Sequence, residues 1–436
     1  MKTVSLRPAA IILFLAAIPA LADPPTFNKD IAPIIYKNCA VCHRPGEVAP
    51  FSLLDYRDVS KRAKQIARVT GEKIMPPWKA EPGFGEFAND RHLTPEQIAL
   101  FKEWSAANTP EGKSAYLSPI PQFPDTWSLG KPDIVLEPDE DYELSPEGSD
   151  IYRCFVIPSN FTEDHFIRAL EVQPGNRKVV HHVIVHYDTT GRARELDAQD
   201  PGPGYTSFGG IGFRSGGMIG GWAPGNYPSL LPDGIGRLVP KGADLVVQVH
   251  YHKSGKPEKD RTKIALYFAH GTVDKRIRSF PVAKLMLRIP PGDSNYVVHA
   301  SLPVKLDATL YRVSPHMHLL GKDMKITATL PDGTLVPLVH VENWDFNWQT
   351  GYDLKTPLKL PAGSRVDLEA HYDNSTGNPV NPNNPPKLVT WGEQTTDEMC
   401  LAFLSFTLDR EHLRNGIAVR GYDLEEHRKN PPAAAP

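Results

Sequence analysis

Between Thr109 and Asp125 the chain carries Pro110, Pro119, Pro121 and Pro124 without any hydrophobic periodicity, and the patterns on its two sides differ. Before this break the pattern is helical. Residues 28–37 lead into Cys39, and Val59, Ala63 and Ile66 mark one face of a second helix. Thr94-Pro95-Glu96-Gln97 forms a capping box with proline at the first helical position, and Leu93 and Ile98 are spaced for a hydrophobic staple. After the break the pattern is that of strands. Leu245–His252 and Arg365–Tyr372 are rich in β-branched and aromatic residues, and Pro331-Asp332-Gly333 marks a turn between strand-like runs. With 43 prolines and 33 glycines along the chain, many short strands joined by turns are expected. The glycine-rich stretch 204–225 has neither the Rossmann glycine spacing nor a Walker lysine, and reads as a long surface loop.

Residues 1–22 have the layout of a cleavable secretory signal: Lys2 and Arg7, a short apolar run, then Ala20-Leu21-Ala22 before Asp23. The mature protein is therefore expected to be periplasmic or secreted, with no membrane span after cleavage. A net charge of -3 gives no signal for nucleic acid or an anionic membrane. The length of 436 residues suggests about three domains at ~100–200 residues each.

Cys39-Ala40-Val41-Cys42-His43 is the attachment sequence of a c-type haem, with thioethers from Cys39 and Cys42 and His43 as axial ligand. The competing readings are a redox dithiol, which export disfavours, and half of a zinc site, which needs two more ligands nearby. Met75, in Ile74-Met75-Pro76-Pro77-Trp78, is the sole Met between this motif and the linker. It is the expected sixth ligand, against an ordinary core Met or His92 in that role. Cys154 and Cys400 are then left over, and read as free, buried thiols.

Further along lie His181-His182, His316-Met317-His318 and Met399. Adjacent strand residues point to opposite faces, so His181 and His182 can share a metal only at a strand end, through a bulge, or through different ring nitrogens. His316 and His318, two apart in a strand, share a face and can converge on one ion. Met399 offers a soft thioether suited to Cu(I). His186, His252 and His371 are read as hydrogen-bonded or surface histidines.

Taken together, Val180-His181-His182, Gln248-Val249-His250-Tyr251, His316–Lys322 and Asp397-Glu398-Met399-Cys400 resemble, in order and separation, the copper type II, ascorbate-dependent monooxygenases. This is the family of peptidylglycine α-hydroxylating and dopamine β-monooxygenase. Tyr152-Arg153-Cys154 and Ile289-Pro290-Pro291-Gly292 match further landmarks, so the resemblance covers roughly 126–410. It implies two copper ions, an electron-transfer copper on His181, His182 and His250 and an oxygen-activating one on His316, His318 and Met399, with Gln248 behind His250. There are departures. Cys154 and Cys400 occupy family cysteine positions but their usual partners are missing, Ser314 replaces the arginine that holds a peptide carboxylate, and Phe403 stands where the peptide enzyme has a tyrosine. Glycine-extended peptides are therefore not expected substrates.

The expected architecture is multidomain: an all-α cytochrome c domain followed by two all-β, jelly-roll-like sandwich domains. Its boundaries are a signal at 1–22, the cytochrome at 23–112, a linker at 113–125, copper sandwiches at 126–275 and 276–425, and a disordered tail at 426–436. The expected function is hydroxylation of a C–H bond in a small-molecule substrate with O2. Electrons would come from the haem c, from ascorbate, or from a periplasmic electron donor. The alternative is a non-enzymatic electron-transfer or copper-binding protein; a zinc hydrolase is disfavoured by the thioether.

Overall fold

The structure, a computed structural model, describes residues 23–419 apart from 46, 48, 124–126, 209 and 225. The signal at 1–22, the tail at 426–436 and the last two linker positions lie outside the described residues. By its contacts the chain divides into two units. One is formed by the stretches ending at Glu72 and running from Leu93 to Ile120, the other by Lys73–His92 and everything after Pro121.

The expected cytochrome-plus-sandwiches architecture needs correction. The chain is mostly β, at 35% strand against 13% helix, and no large all-α cytochrome domain is present among the described residues. The helices are short: Ala32–Asn38, Tyr56–Ser60, Ala63–Gly71 and Pro95–Ala106, after a π turn at Phe27–Ile31. The stretch 73–92 leaves the helical unit altogether. Its prolines and glycines cannot continue a helix, and it joins the β unit instead. Ala80 bridges Val341, Phe87 bridges Leu354, and Trp78 packs edge-on against Tyr352 at 5.0 Å. What remains helical encloses a small core of Phe27, Ile31, Ile35, Phe101 and Trp104. Its best-defined start is at Thr94, whose side chain caps Gln97 N while Gln97 reaches back to Thr94 N.

In the β unit the strands form paired sheets. One five-stranded sheet runs in the order Tyr205–Thr206, Ile151–Pro158, Asp244–Tyr251, Val180–Asp188, Gly217–Trp222. It shares a core with a sheet ordered Ile134–Leu136, Lys263–Phe268, His165–Gln173, Ile235–Val239, Lys275–Arg276. A second core lies between two four-stranded sheets. The first of these contains Arg278–Ala283, Leu401–Leu408, Ala308–His316 and Tyr352–Leu360; the second contains Tyr296–Pro303, Arg365–Tyr372, Gly321–Thr329 and Leu335–Val341. All eight residues of Asp244–Tyr251 are buried, as a central strand covered on both faces requires.

The two sheet pairs are tied at Glu411, which is fully buried and bonded to Arg276 at 2.6 Å and Arg278 at 2.9 Å. Two cations on one buried carboxylate fix the junction, because removing either side would strand a charge. The glycine-rich stretch is also not simply a surface loop. Gly217–Trp222 is an edge strand, and a Cβ at Gly221 would fall 2.7 Å from Val183 O, so only glycine allows this pairing.

Candidate metal centres

His182 and His250 stand directly opposite each other in neighbouring strands, while Val180 pairs with Tyr251. One residue is therefore extra on the first strand, a β-bulge, and that residue is His181. The bulge turns His181 to the same side as His182, which regular alternation forbids. Nδ1 of His181 lies 3.3 Å from Nδ1 of His182, and Nδ1 of His182 3.4 Å from Nδ1 of His250. Nitrogens bound at about 2.0 Å to one ion stand roughly 3.3–3.5 Å apart, and these two spacings fall in that range. These are also the three residues whose ligand atoms cluster within 4.8 Å among the described residues.

The outer edge of His250 is held by Asp150, whose Oδ2 lies 2.8 Å from Nε2. A carboxylate accepts, so Nε2 carries the proton and Nδ1 keeps its lone pair for the cluster. The other oxygen of Asp150 takes His252 Nδ1 at 3.0 Å. Tyr152 stacks on the His250 ring at 4.2 Å. The Gln248 amide donates to the carbonyls of Ser207 and Gly210, so it holds the adjoining loop.

His316 ends the strand Ala308–His316, and His318 lies just beyond it, so the pair is not one face of a continuing strand. A different device converges them. Glu398, wholly buried, accepts backbone N–H bonds from His318, Leu320 and Met399 at 2.7–3.0 Å. One carboxylate thus pins the turn after the strand to the residue carrying the thioether. Burial pushes the Glu398 carboxyl up to about 8, against the pull of those N–H donors. The His316 and His318 rings stand perpendicular, with centroids 5.2 Å apart. His318 Nδ1 donates to the Asp397 carbonyl at 3.1 Å. His316 Nδ1 lies 2.6 Å from Oε1 of Gln349, whose amide nitrogen is committed to Phe346 O. His316 thereby keeps Nε2 as a ligand atom, while His318 also has the Gln394 backbone as a hydrogen-bond partner.

Burial lowers the pKa of these rings: His181 and His318 to about 4, His316 to about 3, and His182 well below its ordinary value. All four are neutral at pH 7, as metal ligation requires. His182, His250, His316, His318 and Met399 all line one cavity of about 730 Å³, which Ser314 and Phe403 also border. Phe346 lies between the clusters, stacked on His181 at 5.0 Å and edge-on to His318 at 5.7 Å.

Asp150, Gln349, Glu398 and Phe346 were not expected as site residues. Glu398 adjoins Met399 in the quoted motif, but nothing in the sequence marks Asp150, Gln349 or Phe346. Among the other histidines, His186 bonds Ser215, His371 bonds Asn295, and His92 bonds Asp90. In the helical unit, Cys42 N and His43 N both donate to Cys39 O, placing the motif in one turn after the helix. His43 Nδ1 lies 3.2 Å from Phe51 O. Met75 falls in the stretch assigned to the β unit, whereas Cys39, Cys42 and His43 belong to the helical one. Cys154 and Cys400 are free and buried.

The three-histidine cluster could hold a metal ion, and His316, His318 and Met399 line the same cavity as its His182 and His250. Residues 286–417 match the family model for the C-terminal domain of copper type II ascorbate-dependent monooxygenases. A DBH-like monooxygenase protein 2 from Mus musculus is 23% identical over 73% of this chain and 54% of its own length. A Homo sapiens protein similarly described is 22% identical over 67% of this chain and 60% of its own. The chain thus spans somewhat over half the length of these relatives. Among solved structures, the major capsid protein P2 from bacteriophage PM2 aligns at 6% identity with a TM-score of 0.25, covering 63% of this chain and 97% of that one. That likeness is too slight to bear on fold or function. No helix among the described residues is long and apolar enough to cross a membrane.

Proposed function

We propose that the chain is a copper-dependent monooxygenase that hydroxylates a C–H bond of a small organic substrate, with copper held by His181, His182 and His250 and by His316, His318 and Met399. The observation that supports this most is that members of both donor clusters face the same cavity. Copper in the first cluster supplies stored electrons, and copper in the second, with its thioether, supplies reduction of O2 beside the substrate. The chain's own residues prepare this. Asp150 fixes which edge of His250 is offered, while Gln349 and the Asp397 carbonyl do the same for His316 and His318. Glu398 keeps Met399 in register with His318, and Phe346 fills space between the clusters.

The Cys39–His43 motif is proposed to carry a covalent c-type haem in an exported protein, supplying one-electron transfer alongside or in place of ascorbate. Two features of the motif support it. The Phe51 carbonyl can only accept, so His43 Nδ1 bears the proton and Nε2 is left as a ligand atom. Burial pushes the Cys39 thiol up to about 12, the opposite of a reactive dithiol. Met75 as second axial ligand rests on the sequence alone. Peroxidase staining after denaturing electrophoresis of matured protein tests the haem; loss of stain rejects it. Mass spectrometry of candidate substrates under isotopically labelled O2, with ascorbate or another reductant, tests the activity. Label in the product is expected; reductant oxidation without labelled product would favour a non-enzymatic electron carrier.

A further inference from the structure

The cavity wall carries three arginines and three acids, and they are unequally matched. Arg168 pairs with Asp233 at 3.0 Å and Arg312 with Asp353 at 3.0 Å. Glu171 is taken up by the backbone of Ser128 and the Tyr267 hydroxyl. Glu393, the remaining acid of the wall, is perturbed by burial alone, with no cation acting on it. Arg237, in the strand Ile235–Val239, has a single bond, from Nη1 to Met218 O at 3.3 Å. Among the described residues no carboxylate is in ion-pairing distance of it, and the charge acting on it is the like charge of Arg312. Burial and that repulsion lower its guanidinium to about 10, so it stays a cation at pH 7.

A guanidinium in a partly dry cavity with most of its donors unused is costly unless an anion joins it. Its planar fork matches a carboxylate through two parallel hydrogen bonds. The surrounding wall is largely apolar, with Met218, Ile219, Trp222 and Leu231 beside the histidines. We propose that Arg237 anchors the carboxylate of the substrate, which is a small organic acid with an apolar body lying in the cavity shared by His316 and Met399. This names the substrate class of the copper reaction and rests on that reading for what happens to the acid. The binding itself needs no copper.

Calorimetric titration of the copper-free full chain with phenylpropionate and with phenylpropionamide separates the two ideas, since copper content and labelled-oxygen incorporation are read independently. The acid is expected to bind about tenfold or more tightly than the amide, a charge-assisted pair's worth. Arg237→Gln should abolish that preference while leaving amide binding and the thermal midpoint in place. If that variant is poorly folded, Arg237→Lys should keep part of the preference, because the charge remains but the fork is lost. Equal binding of acid and amide to the wild type, no binding of the acid, or a preference surviving in Arg237→Gln overturns the proposal. Tighter binding of phenylethyl phosphate than of phenylpropionate overturns the carboxylate assignment.

Discussion

The two donor clusters reach the same end by opposite means. In the first, an extra residue in a strand ladder turns two adjacent histidines to one side, and the third stands across from them in the neighbouring strand. The three meet through Nδ1, with Asp150 on the far edge of His250. In the second, the histidines hang from a strand end, and a buried glutamate joins their turn to the methionine. There protein acceptors hold the rings through Nδ1. A ladder fixes its members through many backbone bonds. A clamp depends on one side chain, so the second cluster should be easier to dismantle.

The largest effect should act on both clusters at once. His181, His182, His316 and His318 are held neutral below their ordinary range by burial. Between about pH 6.5 and about 4 the unfolded chain therefore binds more protons than the folded one, and stability falls as pH falls. The slope is about 1.4 kcal/mol per pH unit for each proton taken up. Denaturant titrations of copper-free protein across this window should show the loss, and Cu(I) should offset it while it stays bound. A flat profile would mean that the rings are not buried as described.

Next in size is Glu398→Ala, which leaves three buried N–H donors without an acceptor and should cost about 3–5 kcal/mol. Copper should be lost from the Met399 cluster, with the three-histidine cluster still filled. Loss from both equally would deny their independence. Asp150→Asn should be milder and opposite in location: roughly 10–100-fold weaker copper at the first cluster, the usual range for removing a ligand's outer partner, with the second unaffected. Nitrogen-15 NMR of the copper-free variant should also show His250 shifting toward the other tautomer. Smallest is His252→Ala. His252 is exposed on the second oxygen of Asp150 and should change stability or copper affinity by less than about 0.5 kcal/mol. A large loss would make it a ligand.

Much of the second cluster could be read in the sequence, because a His-x-His near one strand's end and a late methionine are visible as types and spacings. The first was only half legible. His181-His182 states a conflict with strand alternation, and its resolution depends on register against Val249–Tyr251, a long-range pairing that local pattern does not encode. Asp150 and Gln349 were invisible for a related reason: each lies far along the chain from the histidine it orients, and neither residue type marks a site. The helical reading of Thr94–Gln97 held because capping is local. The cytochrome boundary failed because Lys73–His92 has no helical pattern of its own and finds its partners more than 260 residues on.

The proposed function requires two coppers of unlike ligation, with sulfur at one only. X-ray absorption at the copper edge, with metal analysis, on Cu(I)-loaded wild type and Met399→His tests it most directly. Two coppers per chain are expected in both proteins, with a copper–sulfur contribution in the wild type and none in the variant. A sulfur contribution persisting in Met399→His, or a single copper in the wild type, would contradict it.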